Sequence, residues 1–151
     1  MTVHDAAAYI LEQGGEMTAM KLQKLVYYSQ CWSLVWDETP LFEEVIEAWA
    51  NGPVSPDLYA AHKGRFKVAP GSIPGNPSTL SADQRATIDE VMKFYGAKSA
   101  QWLSDLTHLE APWRMARERA GASDGQNCQE PITLSDMHEY YSGLGQEPAK
   151  E

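Results

Sequence analysis

Apolar positions recur in helical rhythm through most of the chain, and they are densest between residues 18 and 36. Leu22, Leu25, Val26, Ser29 and Trp32 mark one face at i, i+3, i+4, i+7 spacing, while Tyr27, Tyr28, Cys31, Leu34, Val35 and Trp36 fill the others. A helix that is apolar nearly all round is a buried one, with neighbours on several sides. Thr18 is a strong N-cap residue, and the residues after it favour helix. At ~1.5 Å per residue the segment is about 28 Å long, enough to cross a small domain. Thr39-Pro40 ends it, because proline lacks an N–H and biases its predecessor away from the α region. The pattern therefore predicts one central helix around which the other elements pack.

Those elements follow from the same reading. Residues 3–13 form an amphipathic helix with Ala6, Ala7, Ile10 and Leu11 inward, closed by Gly14-Gly15. Residues 42–49, with Val45 and Ile46 among glutamates, suit a short strand or a helix equally. Asn51-Gly52-Pro53 reads as a turn, and Ser55-Pro56-Asp57 opens a helix that closes near His62-Lys63-Gly64. Residues 65–77 are a loop by their proline and glycine content. Residues 81–95 start on a Ser81/Gln84 capping box and bury Ile88, Val91, Met92 and Tyr95. Shorter helices follow at 99–108, from Pro112 to Ala120, and at 133–142, where Met137, Tyr140 and Tyr141 pack. The fold class is mainly α, a single compact helical domain over residues 1–142, with at most a small β element near residues 42–49. Residues 143–151 read as a disordered tail.

Composition narrows the function. The 151 residues carry 12 Lys and Arg against 21 Asp and Glu, a net charge of −9. That argues against general binding of nucleic acid or of an anionic membrane, which needs clustered cations. Lys63, Arg65 and Lys67 make the only local basic cluster. The first residues lack the basic start and apolar run of a signal peptide, and the apolar stretch 25–36 is too short to span a bilayer. Cytoplasm is the default location.

Chemistry is sparse. His108-Leu109-Glu110 matches half of a zinc-deaminase signature, but the P-C-x-x-C half is missing, and neither H-E-x-x-H nor C-x-x-C occurs. No metal and no cofactor is expected. Cys31 lies mid-helix as a small hydrophobe, and nothing favours a nucleophile pair with His108. Thr107, His108 and Glu110 lie where one helix ends and Pro112 begins the next, which suits capping of free backbone groups, with Arg117 turned toward Glu110 or an orphan carbonyl.

Two blocks of the sequence resemble the Panacea domain, the SocA-like antitoxin family also met as a phage-associated protein. The first is Lys21-Leu22-Gln23-Lys24-Leu25-Val26-Tyr27-Tyr28 with Leu41-Phe42, Ala48-Trp49, Gly52-Pro53-Val54, Pro56 and Tyr59; the second runs from Leu103 through Thr107-His108 and Pro112-Trp113 to Arg117. The resemblance implies a helical, non-enzymatic antitoxin that binds a toxin encoded beside it, with partners that include toxins of the small alarmone-synthetase type. Some members look like adaptors that deliver a toxin to a protease, a role in which the tail would contribute a tether. The signature residues Tyr27, Trp32, Trp49, Gly52, Pro53, Tyr59, Thr107, His108, Pro112, Trp113 and Arg117 read mostly as scaffold. For the toxin-binding face, the acidic residues Glu43, Glu44, Glu47 and Asp57 beside Phe42 and Trp49 are the expectation, set against a plain solvated edge. The rival from another class is a hydrolase using His108, Glu110 and Arg117.

Overall fold

A computed structural model of the chain describes residues 1–145. The elements in chain order are α1 (Val3–Gly14), β1 (Met17–Thr18), α2 (Ala19–Trp36), β2 (Glu47–Trp49), β3 (Gly52–Val54), α3 (Pro56–His62), β4 (Lys67–Val68), a 3₁₀ turn (Pro77–Thr79), α4 (Ala82–Tyr95), α5 (Ala100–Leu109), α6 (Ala111–Ala120) and α7 (Leu134–Ser142). The protein is mainly α-helical.

Helix α2 runs through the middle. The Thr18 hydroxyl accepts from the Lys21 N–H, as an N-cap should, and every residue from Leu22 to Val35 is buried. Helices α1, α4, α5 and α7 pack around it. The side of α2 that carries Tyr27, Tyr28 and Trp32 meets Tyr95 of α4 and Tyr141 of α7. The Tyr28 and Tyr95 rings stack at 4.1 Å, and Trp32 Nε1 donates to the Tyr95 hydroxyl over 3.1 Å. Helix α7 is thus a wall of the core, and Tyr141 is fully buried.

The polar residues of α2 hold neighbouring irregular chain. Gln30 accepts from the Leu41 and Phe42 N–H groups and donates to the Phe42 carbonyl, and Ser33 donates to the Thr39 carbonyl. Gln23 does the same one side further on: it accepts from the Ser55 N–H at 2.9 Å and donates to the Ser55 carbonyl. Two buried amides therefore splint irregular chain onto the helix, which satisfies backbone groups that burial would otherwise leave unpaired.

Residues 42–49 resolve into irregular chain followed by β2, which pairs antiparallel with β3 in the register Glu47↔Val54, Ala48↔Pro53, Trp49↔Gly52. The turn lies at Ala50-Asn51, so Gly52 and Pro53 belong to the return strand rather than to the turn itself. The other edge of β2 is covered by residues 130–132: Ala48 N–H donates to the Glu130 carbonyl and Ile132 N–H to that of Ile46. A second two-stranded pair joins β1 to β4, in a stretch that reads as loop from its composition. That loop is pinned elsewhere too, since Ile73 is buried and the Asn76 N–H donates to Asp5 over 2.7 Å. At the C-terminus, residues 143–145 close α7, with the Leu144 N–H on the Tyr141 carbonyl; the remainder of the expected tail, 146–151, lies outside the described residues.

Candidate functional site

The second signature block builds a clamp on the hairpin. Trp113 Nε1 donates to the Trp49 carbonyl at 2.9 Å, and the Ser104 hydroxyl donates to that of Asn51 at 2.6 Å. Arg117 is buried and donates to the carbonyls of Ala48, Ser123 and Gln126. Its planar fork suits this, because five fixed N–H donors can serve several carbonyls at once. His108 stacks on Trp113 with centroids 4.0 Å apart, and its Nε2 has no hydrogen-bond partner among the described residues. Burial, with the nearby Lys24 charge, holds His108 below its ordinary pKa.

Glu110 does not cap α6. Its carboxylate turns into the core, where Oε1 accepts from the Tyr28 hydroxyl at 2.6 Å and the Tyr141 hydroxyl at 2.8 Å. Thr107 bonds back onto the Ser104 carbonyl inside α5 rather than onto a free group at the helix end. The expected junction capping is therefore made by neither side chain, and at Glu110 two buried phenols take the carboxylate. The trio His108, Glu110 and Arg117 divides its polar groups among the aromatic core and backbone carbonyls. Cys31 is fully buried beside Tyr27, and burial pushes its thiol well up. Among the described residues no group of three His, Cys, Asp or Glu side chains is placed to hold a metal ion, and no helix is long and apolar enough to cross a membrane.

The hairpin, the start of α2 and α3 enclose a groove of about 1000 Å³. Trp49 and Tyr59 form one wall, edge to face with centroids 5.0 Å apart. Phe66, 77% exposed, stands at the mouth with Arg65 and Met20. His62 is buried and shares a 3.0 Å hydrogen bond with Gln23.

Lys24 lines the groove and is the least expected residue in it. It is 1% exposed, and its Nζ donates to the Pro53 carbonyl at 3.1 Å. Desolvation alone lowers its pKa to about 7. Gly52 is what makes the space: a Cβ there would come within 2.6 Å of Lys24 Cε and 3.0 Å of Thr107 Oγ1. The spacing of α2 places Lys24 on the helix but gives no sign that it is buried.

The acidic residues are distributed around a different point, the start of α1. Glu44 Oε1 accepts from the Val3 N–H at 3.1 Å, and the Asp57 carbonyl lies 3.1 Å from His4 Nε2. Glu47 accepts from Trp49 Nε1, and Glu43 is exposed. Two of the four carboxylates, those of Glu44 and Glu47, are thus engaged internally.

The family model for the SocA-like antitoxin, Panacea domain matches residues 22–114, from the first turns of α2 into α6, and the chain belongs to that family. No curated protein and no solved structure matches it. Arg117 and the segment 127–132 lie beyond the match, although the first holds the hairpin and the second covers its edge.

Proposed function

We propose that this protein is a cytoplasmic antitoxin that neutralises a co-encoded toxin by direct protein–protein contact, without catalysis. The family match across residues 22–114 carries the reading, and the groove beside the acidic edge supports it. Exposed apolar side chains around a concave surface mark places where a partner buries area. Met20, Phe66 and Val45 are the large exposed apolar residues flanking the groove and the edge. Glu43, Glu44, Glu47 and Asp57 extend this surface as a negative rim that attracts a basic partner, while the aromatics supply most of the affinity. A toxin that handles nucleotides or RNA, such as a small alarmone synthetase, has a basic site of the matching sign.

Expression of the adjacent open reading frame, with and without this chain, tests the function. The neighbour alone should arrest growth, and co-expression should restore it with the two proteins co-purifying. Harmless expression in both cases would overturn the antitoxin reading. Delivery to a protease is separated by the toxin's lifetime: direct neutralisation leaves its level unchanged during rescue.

A further inference from the structure

Lys24 presents a problem that the fold alone leaves unsolved. It is a primary amine set in the wall of the groove, 1% exposed, and no carboxylate pairs with it among the described residues. Its one acceptor among the described residues is the Pro53 carbonyl, a dipole rather than a counter-charge, whereas a protonated amine has three donors to place. Buried cations are normally paired. The chain accommodates this one through a glycine at φ +119 whose missing Cβ leaves room for the side chain.

The rest of the groove indicates what supplies the missing charge. Trp49, Tyr59 and Phe66 offer aromatic walls, and Arg65 adds a second cation at the mouth. The groove therefore joins apolar surface to positive charge within a chain of net charge −9. We infer that the groove receives a segment of the partner protein in which an aspartate or glutamate sits next to a large apolar side chain, the carboxylate pairing with Lys24 and the apolar group filling the aromatic cleft. This rests on the antitoxin reading and specifies how its partner is selected. The acidic rim governs encounter, and Lys24 governs which segment fits.

A carboxylate beside Lys24 raises its pKa from about 7, so binding takes up a proton when the free amine is neutral. Affinity then falls as pH rises above about 7. Facing groups from the neighbouring elements are His108 on α5, His62 on α3, and Arg65, Tyr59 and Cys128 on the groove walls. Both histidines are held below their ordinary values by burial, so they are neutral across that window.

The test uses a displayed random heptapeptide library selected against the full chain, followed by calorimetry with the best synthetic peptide. The expected outcome is enrichment of Asp or Glu beside aromatic or branched aliphatic residues. Replacing that acid by its amide should weaken binding at least tenfold to the wild-type chain and less than twofold to Lys24→Met. Affinity for the acidic peptide should drop between pH 7 and 9 in the wild type and stay flat in Lys24→Met. Lys24→Gln gives a second, polar control should the first variant alter the groove. Failure to enrich acids, equal loss with both chains, or inorganic phosphate competing as well as the peptide would each overturn the inference. Growth rescue by the wild type distinguishes this from failure of the antitoxin reading. If the wild type and Lys24→Met both rescue, only the inference is lost; if neither does and the neighbouring frame is harmless, the function itself is.

Discussion

Gly52 and Lys24 constrain one another. The glycine has φ +119, a region that side chains rarely adopt, and a Cβ there would meet the lysine stem and Thr107. Gly52→Val combines backbone strain with overpacking and should lower stability by about 2–4 kcal/mol, measured by urea unfolding. An unchanged melting temperature would overturn this account of the hairpin. Lys24 has the opposite signature. Its folded pKa of about 7 lies below its ordinary value of 10.5. Between those values the unfolded chain binds a proton that the folded chain does not, so stability rises with pH across the window and the full penalty applies below about 7. Lys24→Met should therefore stabilise the protein by up to a few kcal/mol at pH 6, with the gain shrinking toward pH 10. Unfolding curves that show the same pH slope for both chains would disprove this account.

At the scale of elements, α2 and the Glu110 junction are the two structural dependencies. Leu25 and Trp32 are fully buried on α2, and truncating either to alanine should cost about 2–5 kcal/mol by cavity formation. A loss below about 1 kcal/mol at both sites would mean that the helix is not the core. Glu110 joins three helices, since its carboxylate at the start of α6 accepts from Tyr28 of α2 and Tyr141 of α7. Glu110→Ala leaves the buried Tyr28 hydroxyl without its acceptor, at roughly 1–3 kcal/mol, while the Tyr141 hydroxyl keeps the Tyr27 hydroxyl at 3.2 Å. Its effect should be non-additive with Tyr28→Phe, which removes the stranded group beforehand; a double-mutant cycle in urea checks this.

For the molecule as a whole, surface charge decides the rate of meeting a partner more than its final affinity. Reversing Glu43 and Asp57 to lysine should slow association with the toxin at low salt and weaken its salt dependence, while the fold stays intact, because both are exposed. Adding Glu44→Lys and Glu47→Lys should slow it further. Those two also remove hydrogen bonds to Val3 and Trp49, so the quadruple variant loses some stability as well. Stopped-flow association at two ionic strengths is the measurement. An unchanged on-rate at low salt would place the encounter face elsewhere.

Local signals were strong where a rule acts over one helical turn or less. Thr18, Ser55, Ser81 and Thr133 cap the helices they precede, because an N-cap bond spans three residues. The nearly complete apolar girdle of α2 likewise marked a helix with neighbours all round, and the two signature blocks marked the family. What the sequence could not determine depends on partners distant along the chain. Glu110 looks like a cap until α7 brings Tyr141 to it, 31 residues on. Arg117 meets a carbonyl 69 residues away, and residues 130–132 cover the hairpin with no strand pattern of their own. Glu43, Glu44 and Glu47 are close in sequence, but a tertiary contact assigns Glu44 to the Val3 N–H, 41 residues away. Lys24 shows the division most clearly. Helical spacing fixes its angular position on α2, but only the approach of the Gly52 strand closes over it, excludes water and lowers its pKa, and that approach is a property of the folded chain.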